Sequence, residues 1–253
     1  MSHPIYVLWA TPRTASTAFE WMMRMRGDMA CFHEPFGEWW YQGDGALWPR
    51  LDADSPRQPG LTYDSVMQKL IATSEELPVF SKEFPHYTAH RWDDEFFDSF
   101  EHSFLIRHPA KSLTSIWRNW PVFAKEEVGI DVQRRLFDII ADRTGKTPVV
   151  IDADDLLEEP QAIVEAYCEG IGIPYLEEAL TWDPGDRDEV RWYDTEGVWH
   201  RNLMNSTGLT RQPRRDSDIT KTPDWVQEMY QEFMPHYEHM HSYRLQPNLQ
   251  GAE

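Results

Sequence analysis

The chain has 253 residues, 41% hydrophobic and 26% charged, a length and balance that suit one large soluble domain with a sizeable core and exclude disordered and collagen-like classes. Lys and Arg number 24 against 43 Asp and Glu, a net charge of -19, whose field repels nucleic acid and anionic membranes and confines any anionic ligand to a local basic pocket. No apolar run approaches the roughly 20 residues of a spanning helix, residues 5–10 lack the basic leader of a signal peptide, and Cys31 and Cys168 stand far apart with no CxxC partner. The expectations are a cytoplasmic protein with two reduced thiols and neither a nucleic-acid nor a membrane partner.

Residues 5–10 (Ile-Tyr-Val-Leu-Trp-Ala) form a short continuous apolar run, the pattern of a strand buried on both faces of a parallel sheet. Thr11-Pro12 ends it, and Ala15, Ala18, Phe19, Met22, Met23 and Met25 then recur at helical spacing up to Gly27. Further strands are expected over 29–32, 79–84, 103–106 and 148–151, with helices over 63–77, 111–120 and 160–171. This alternation predicts an α/β fold: a three-layer parallel sheet flanked by helices, with the ligand site at the carboxyl ends of the strands. Residues 36–62 and 181–222 are rich in Trp, Pro, Gly and Asp and read as loop insertions in one domain spanning 1–253. An aromatic and histidine-rich helix is expected over 230–241. Its His236, His239 and His241 lack the other ligands a metal cluster needs, so no metal site is assigned.

Thr11-Pro12-Arg13-Thr14-Ala15-Ser16-Thr17 joins the first strand to the first helix, where backbone N–H groups and the helix dipole favour an anion. Arg13 adds a charged fork, and Thr14, Ser16 and Thr17 add hydroxyls. The same residues also suit an ordinary helix cap. After the fourth strand, Arg107-His108-Pro109 again ends a strand and opens a helix, and Ser115 stands eight residues beyond Arg107. A second anion site fits there, with a surface Arg and a satisfied Ser as the plain alternative.

These motifs resemble those of sulfotransferases that use 3′-phosphoadenosine 5′-phosphosulfate (PAPS), bacterial members included. The family's phosphosulfate loop, Pro-Lys/Arg-Ser/Thr-Gly-Ser/Thr-Ser/Thr, is matched by Pro12, Arg13, Thr14, Ala15, Ser16 and Thr17, and its 3′-phosphate pair by Arg107 and Ser115. Val149-Val150-Ile151-Asp152-Ala153-Asp154-Asp155-Leu156-Leu157-Glu158-Glu159-Pro160 and Gly170-Ile171-Gly172-Ile173-Pro174 resemble its later strand and Leu-Gly-Ile-Pro stretch, so the likeness covers about residues 4–176. The resemblance implies a P-loop-like sulfotransferase fold, with PAPS as co-substrate and 3′-phosphoadenosine 5′-phosphate (PAP) as product. Two departures stand out. Ala15 replaces the loop glycine, from which a loop that stays right-handed is expected, and Ala18 replaces the tryptophan that stacks on adenine in cytosolic aryl sulfotransferases.

The resemblance also bears on the base. The aryl enzymes place a histidine two residues after the third-strand lysine. Here that lysine is Lys82 and the position holds Phe84, which cannot accept a proton; His86, two residues further on, is a base if the loop bends back and otherwise a solvated surface histidine. Bacterial glycolipid and tyrosylprotein sulfotransferases instead place a glutamate after the second strand, which assigns the base to Glu34 in His33-Glu34-Pro35, with His33 orienting or replacing it. A second strand lying beside the first is expected to bring Glu34 near Arg13. Arg13 then stabilises the transferring group, Lys82 helps neutralise its oxygens, and no metal is required. Arg211, Arg214 and Arg215 fall where the family has a loop closing over the 3′-phosphate, or form an exposed loop. Trp39, Trp40, Tyr41 and Trp48 suggest an aromatic-walled cleft for a small-molecule acceptor carrying a hydroxyl or amine, whether aromatic, sugar or apolar. A P-loop-type ATP-dependent kinase and a noncatalytic nucleotide-binding protein remain the alternatives, and a homodimer is left open.

Overall fold

A computed structural model describes residues 2–47, 57–185, 190, 201–210 and 217–246. Its elements follow in chain order as β1 (Ile5–Trp9), α1 (Ser16–Met25), β2 (Ala30–His33), α2 (Pro35–Gln42), α3 (Tyr63–Ser74), β3 (Val79–Glu83), α4 (Asp94–Ser99), β4 (Glu101–Ile106), α5 (Pro109–Asn119), α6 (Ile130–Thr144), β5 (Val149–Asp152), α7 (Ala153–Glu158), α8 (Pro160–Ile171), α9 (Arg201–Met204) and α10 (Asp224–His241). The five strands form one parallel sheet in the order β2-β3-β1-β4-β5, flanked by helices. This is the expected three-layer α/β architecture. The central strand carries its apolar run inward on both faces, and Val7, Leu8 and Trp9 are fully buried, as parallel strands covered by helices require.

Helix boundaries follow local chemistry. Thr62 and Ser65 cap α3 reciprocally, the Asp93 carboxylate accepts from Phe96 N–H at the start of α4, and Pro109 and Pro160 occupy the first turns of α5 and α8, where no N–H is missed. No helix among the described residues is long and apolar enough to cross a membrane.

Three expectations are corrected. The second strand does not neighbour the first: β3 lies between β1 and β2, so Glu34 follows a strand one removed from β1 and pairs with Lys82 of the intervening β3. Residues 36–62 are not all loop, because 35–42 form α2, which buries Phe36 and Trp39. The last helix begins at Asp224 rather than at 230. Of the expected 181–222 insertion, the described part includes a bridge between Thr181 and Gly208 and the short α9.

Strand order reverses between β1 and β4, since β1 connects onward to β2 on one side and β4 connects to β5 on the other. Ligands in open α/β sheets bind at the carboxyl ends of the strands flanking such a switch point. The two arginine motifs follow these two strands.

Candidate active site

Among the described residues, three non-glycine positions have a left-handed backbone: Arg13 (φ 67), Ala15 (φ 64) and Glu34 (φ 44). All three belong to the predicted site. A left-handed L-residue costs about 1–2 kcal/mol, and such strain persists where the surroundings over-determine it, often at functional sites. The expectation that Ala15 holds the loop right-handed is therefore overturned: the loop keeps the glycine-like conformation despite the Cβ. Left-handed residues at 13 and 15 are of the kind that turn neighbouring N–H groups toward one concavity, as in anion nests. Ala15 occupies the cap position of α1 and no side chain caps there, while the Thr14 hydroxyl donates to the Thr11 carbonyl at 2.8 Å and closes the turn from within.

The second motif meets the first. Arg107 Nη1 donates to the Arg13 carbonyl at 2.6 Å, and Arg13 Nε donates to Ser115 Oγ at 3.1 Å. Ser115 thus serves Arg13 directly, from the second turn of α5. Asp154, at the start of α7, pairs with Lys111 at 2.7 Å and lies 3.9 Å from Arg107 Nε. Beneath this corner Gln133 of α6 is buried and donates its amide to the carbonyls of Trp9 and Leu105, at 2.8 and 3.0 Å. It ties the ends of β1 and β4 together just below Arg13 and Arg107.

A second cluster occupies the carboxyl ends of β2 and β3. Glu34, which caps α2, is buried, and its two oxygens accept from Lys82 Nζ and, at 3.1 Å, from the Tyr87 hydroxyl. Lys82 is fully buried, so the pair shares one desolvated environment in which each charge depends on the other. His33 Nε2 lies 4.0 Å from Glu34 Oε1, and His33 Nδ1 lies 2.6 Å from Glu20 Oε2. Glu83, beside them on β3, accepts from Phe36 N–H and the Ser81 hydroxyl. Burial, then the charge of Glu34, pushes the pKa of Glu83 well above the usual carboxylate range.

His86 is not the solvated surface group that the sequence allowed. It is buried, packs edge-on against Tyr87 and Trp40, and neither ring nitrogen has a hydrogen-bond partner. Burial pushes its pKa down to about 3, against a smaller opposing effect of Glu34. Trp39 is core, stacked on His90 and edge-on to Tyr63, whereas Trp40 and Tyr41 are half-buried beside Tyr87. Pro12, Thr17 and Ala18 are half-buried at the loop, and Ser16 is buried. Trp48 and Arg211, Arg214 and Arg215 lie outside the described residues. His239 and His241 are engaged with Asp138 and Tyr237.

Sequence reasoning missed Glu20, Tyr87, Glu83 and Gln133. Glu20 had a visible signal, a lone carboxylate between Phe19 and Trp21 on an otherwise apolar stretch; the other three acquire meaning only from the packing of β3, the turn after it and α6.

Comparison with known proteins bears on this geometry. The family described as Sulfotransferase domain matches residues 5–244. Branched-chain-amino-acid aminotransferase-like protein 2 of Arabidopsis thaliana is 24% identical over 208 residues, covering 80% of this chain but 35% of that protein. Sulfotransferase ppzF of Metarhizium majus is 26% identical over 187 residues, 60% of this chain and 55% of that one. The chain thus spans between about a third and about half the length of these curated relatives. Among solved structures, the sulfotransferase domain from the curacin biosynthetic pathway superposes with a TM-score of 0.52 at 15% identity, over 92% of this chain and 97% of that one, a likeness of fold. Two arginine corners meet at the switch point of a parallel sheet, and the family match runs through both of them: the chain belongs to the sulfotransferase domain family.

Proposed function

We propose that the protein transfers a sulfuryl group from PAPS to a hydroxyl or amine of a small-molecule acceptor, releasing PAP. The observation that carries this reading is the junction of Arg13, Ser115 and Arg107 at the switch point. A donor with phosphate groups at both ends of one adenosine calls for two basic corners within reach of each other, and the 12–17 loop and Arg107 supply them. The left-handed Arg13 and Ala15 support it further, since an anion nest is shaped for tetrahedral oxyanions. Half of a phosphate-binding Walker loop is absent: residues 11–17 contain neither glycine nor lysine, which disfavours the kinase alternative.

In this mechanism Arg13 and the loop N–H groups hold the sulfuryl oxygens and the leaving phosphate. Like phosphoryl transfer, the step asks for alignment and charge stabilisation more than for covalent help. Glu34 takes the acceptor proton, assisted by His33, within hydrogen-bond reach of the incoming nucleophile. Lys82 keeps Glu34 in position and supplies positive charge beside it. The half-buried Trp40 and Tyr41 suit the wall of an acceptor cleft.

The test is transfer of 35S from labelled PAPS to three acceptor probes: 4-nitrophenol, methyl glucoside and 1-octanol. Labelled product with at least one probe, lost in Glu34→Gln while PAP still binds, is the expected result. PAP binding with no labelled product from any probe would favour a noncatalytic nucleotide-binding protein.

A further inference from the structure

Glu20 sits in the second turn of α1, four residues after Ser16 and four before Arg24, so the helix that opens at the phosphate loop presents it toward β2. Its side chain is 2% exposed and that of His33 is 4% exposed. Both carboxylate oxygens are used: Oε1 accepts from Arg24 Nη2 at 2.9 Å, and Oε2 lies 2.6 Å from His33 Nδ1. Burial by itself raises the Glu20 pKa, but the hydrogen bond from His33, the charge that His33 carries when protonated, and the charges of Lys82 and Arg24 outweigh it and leave the carboxyl below its ordinary value. An ionised carboxylate only accepts. His33 Nδ1 must therefore be the donor, which leaves Nε2 on the side facing Glu34 Oε1, 4.0 Å away. Arg24, Glu20, His33, Glu34 and Lys82 form one row that runs from the phosphate-loop helix past β2 to β3. Burying such a row costs several kcal/mol per ion before pairing, and apolar residues would pack α1 on β2 without that cost.

We propose that Glu20 is a positioning residue for sulfuryl transfer, acting through His33: it fixes the ring proton on Nδ1, aims Nε2 at Glu34, and stabilises the imidazolium formed when the acceptor's proton arrives there. This rests on the reading of Glu34 as proton acceptor. In the step, a lone pair of the acceptor oxygen or nitrogen forms the new bond to sulfur. The bond from sulfur to the bridging oxygen breaks, and its electron pair leaves with the phosphate of PAP. The acceptor's proton passes to the Glu34 carboxylate and from there to His33 Nε2. A carboxylate behind a histidine that serves a reacting proton holds the tautomer and steadies the cation.

The test uses the full chain with 15N-labelled histidine, the His33 side-chain signals being assigned by their loss in His33→Gln. Wild type should show the Nδ1–H tautomer. In Glu20→Gln, whose amide either donates or accepts, that preference should disappear, kcat with PAPS and the productive acceptor probe should fall at least tenfold, and the Kd for PAP should stay within twofold. Glu20→Asp retains the charge and the fold while withdrawing the carboxylate by one methylene; it should keep the tautomer and lose only several-fold in kcat. An unchanged tautomer in Glu20→Gln, or a kcat within twofold of wild type, overturns the proposal while Glu34→Gln remains inactive. Full turnover by Glu34→Gln would instead overturn the reading of the base on which it rests.

Discussion

Arg107 Nη1 donates to the backbone carbonyl of Arg13 at 2.6 Å, so the corner after β4 braces the loop after β1 at a residue with a left-handed backbone. Removing the guanidinium takes away this brace and, in the proposed reading, a contact to the donor. Arg107→Ala is expected to weaken PAP binding by about 10- to 100-fold, the loss of a hydrogen bond to a charged group being about 1.5–3 kcal/mol. Arg107→Lys should recover little of it, because an ammonium cannot reach a carbonyl and a phosphate with one planar fork. Isothermal titration with PAP reads both values; affinity within threefold of wild type in Arg107→Ala would remove this residue from the donor site.

Ala15 carries its Cβ at φ 64. Glycine there relieves about 1–2 kcal/mol of left-handed strain and gives back about 0.4–1 kcal/mol through the freer unfolded chain. Ala15→Gly should therefore stabilise the protein by about 0.5–1 kcal/mol in urea unfolding, and Ala15→Val should destabilise it. A glycine variant less stable than wild type would mean that the Cβ makes contacts that repay the strain.

Glu34 and the fully buried Lys82 neutralise each other. Breaking a buried pair from one side costs about 3–5 kcal/mol, since the remaining charge has no partner. Glu34→Gln is expected to lose stability on that scale as well as turnover, and Lys82→Met in the same chain should restore most of the stability but none of the turnover. Thermal unfolding of the two single variants and the double variant closes the cycle. Additive losses would show that the pair is not coupled.

His86 adds a pH dependence. Burial lowers its pKa from about 6.5 to about 3 in the folded chain, so between those limits the unfolded state binds the extra proton and stability rises with pH. The stability present above pH 6.5 is lost progressively as pH falls toward 3. His86→Leu removes the titrating group and should flatten this part of the curve relative to wild type, measured as the difference in Tm between pH 4 and pH 7. Parallel curves for the two proteins would contradict the assignment.

The sheet was legible because the strands carry short apolar stretches, the whole of β1 and Val79-Phe80 at the start of β3, set between turns and helical patterns. Residues following the strands supplied the arginines and the glutamate, and the lysine lies within β3. Strand order was not legible: nothing local in 30–33 says that β3 will come between it and β1, and that insertion is what puts Lys82 against Glu34. Helix α2 was obscured by its Pro, Gly and Trp content, although proline suits a first helical turn and Trp39 faces the core. Ala15 ran against the glycine rule because the rule describes an isolated residue, whereas Arg107 and Ser115 hold this loop from outside. The Glu20–His33 contact spans two elements 13 residues apart and exists only because α1 lies along β2.

The central claim is that the loop after β1 and the corner after β4 hold one adenosine phosphorylated at both ends. Calorimetric titration of the full chain with PAP, beside ATP with Mg²⁺, tests it most directly, since the 3′-phosphate is the group that Arg107 should reward. The account predicts that PAP binds at least tenfold more tightly than ATP with Mg²⁺, about 1.4 kcal/mol, and that Arg107→Ala erases the difference; equal or tighter binding of ATP would contradict it.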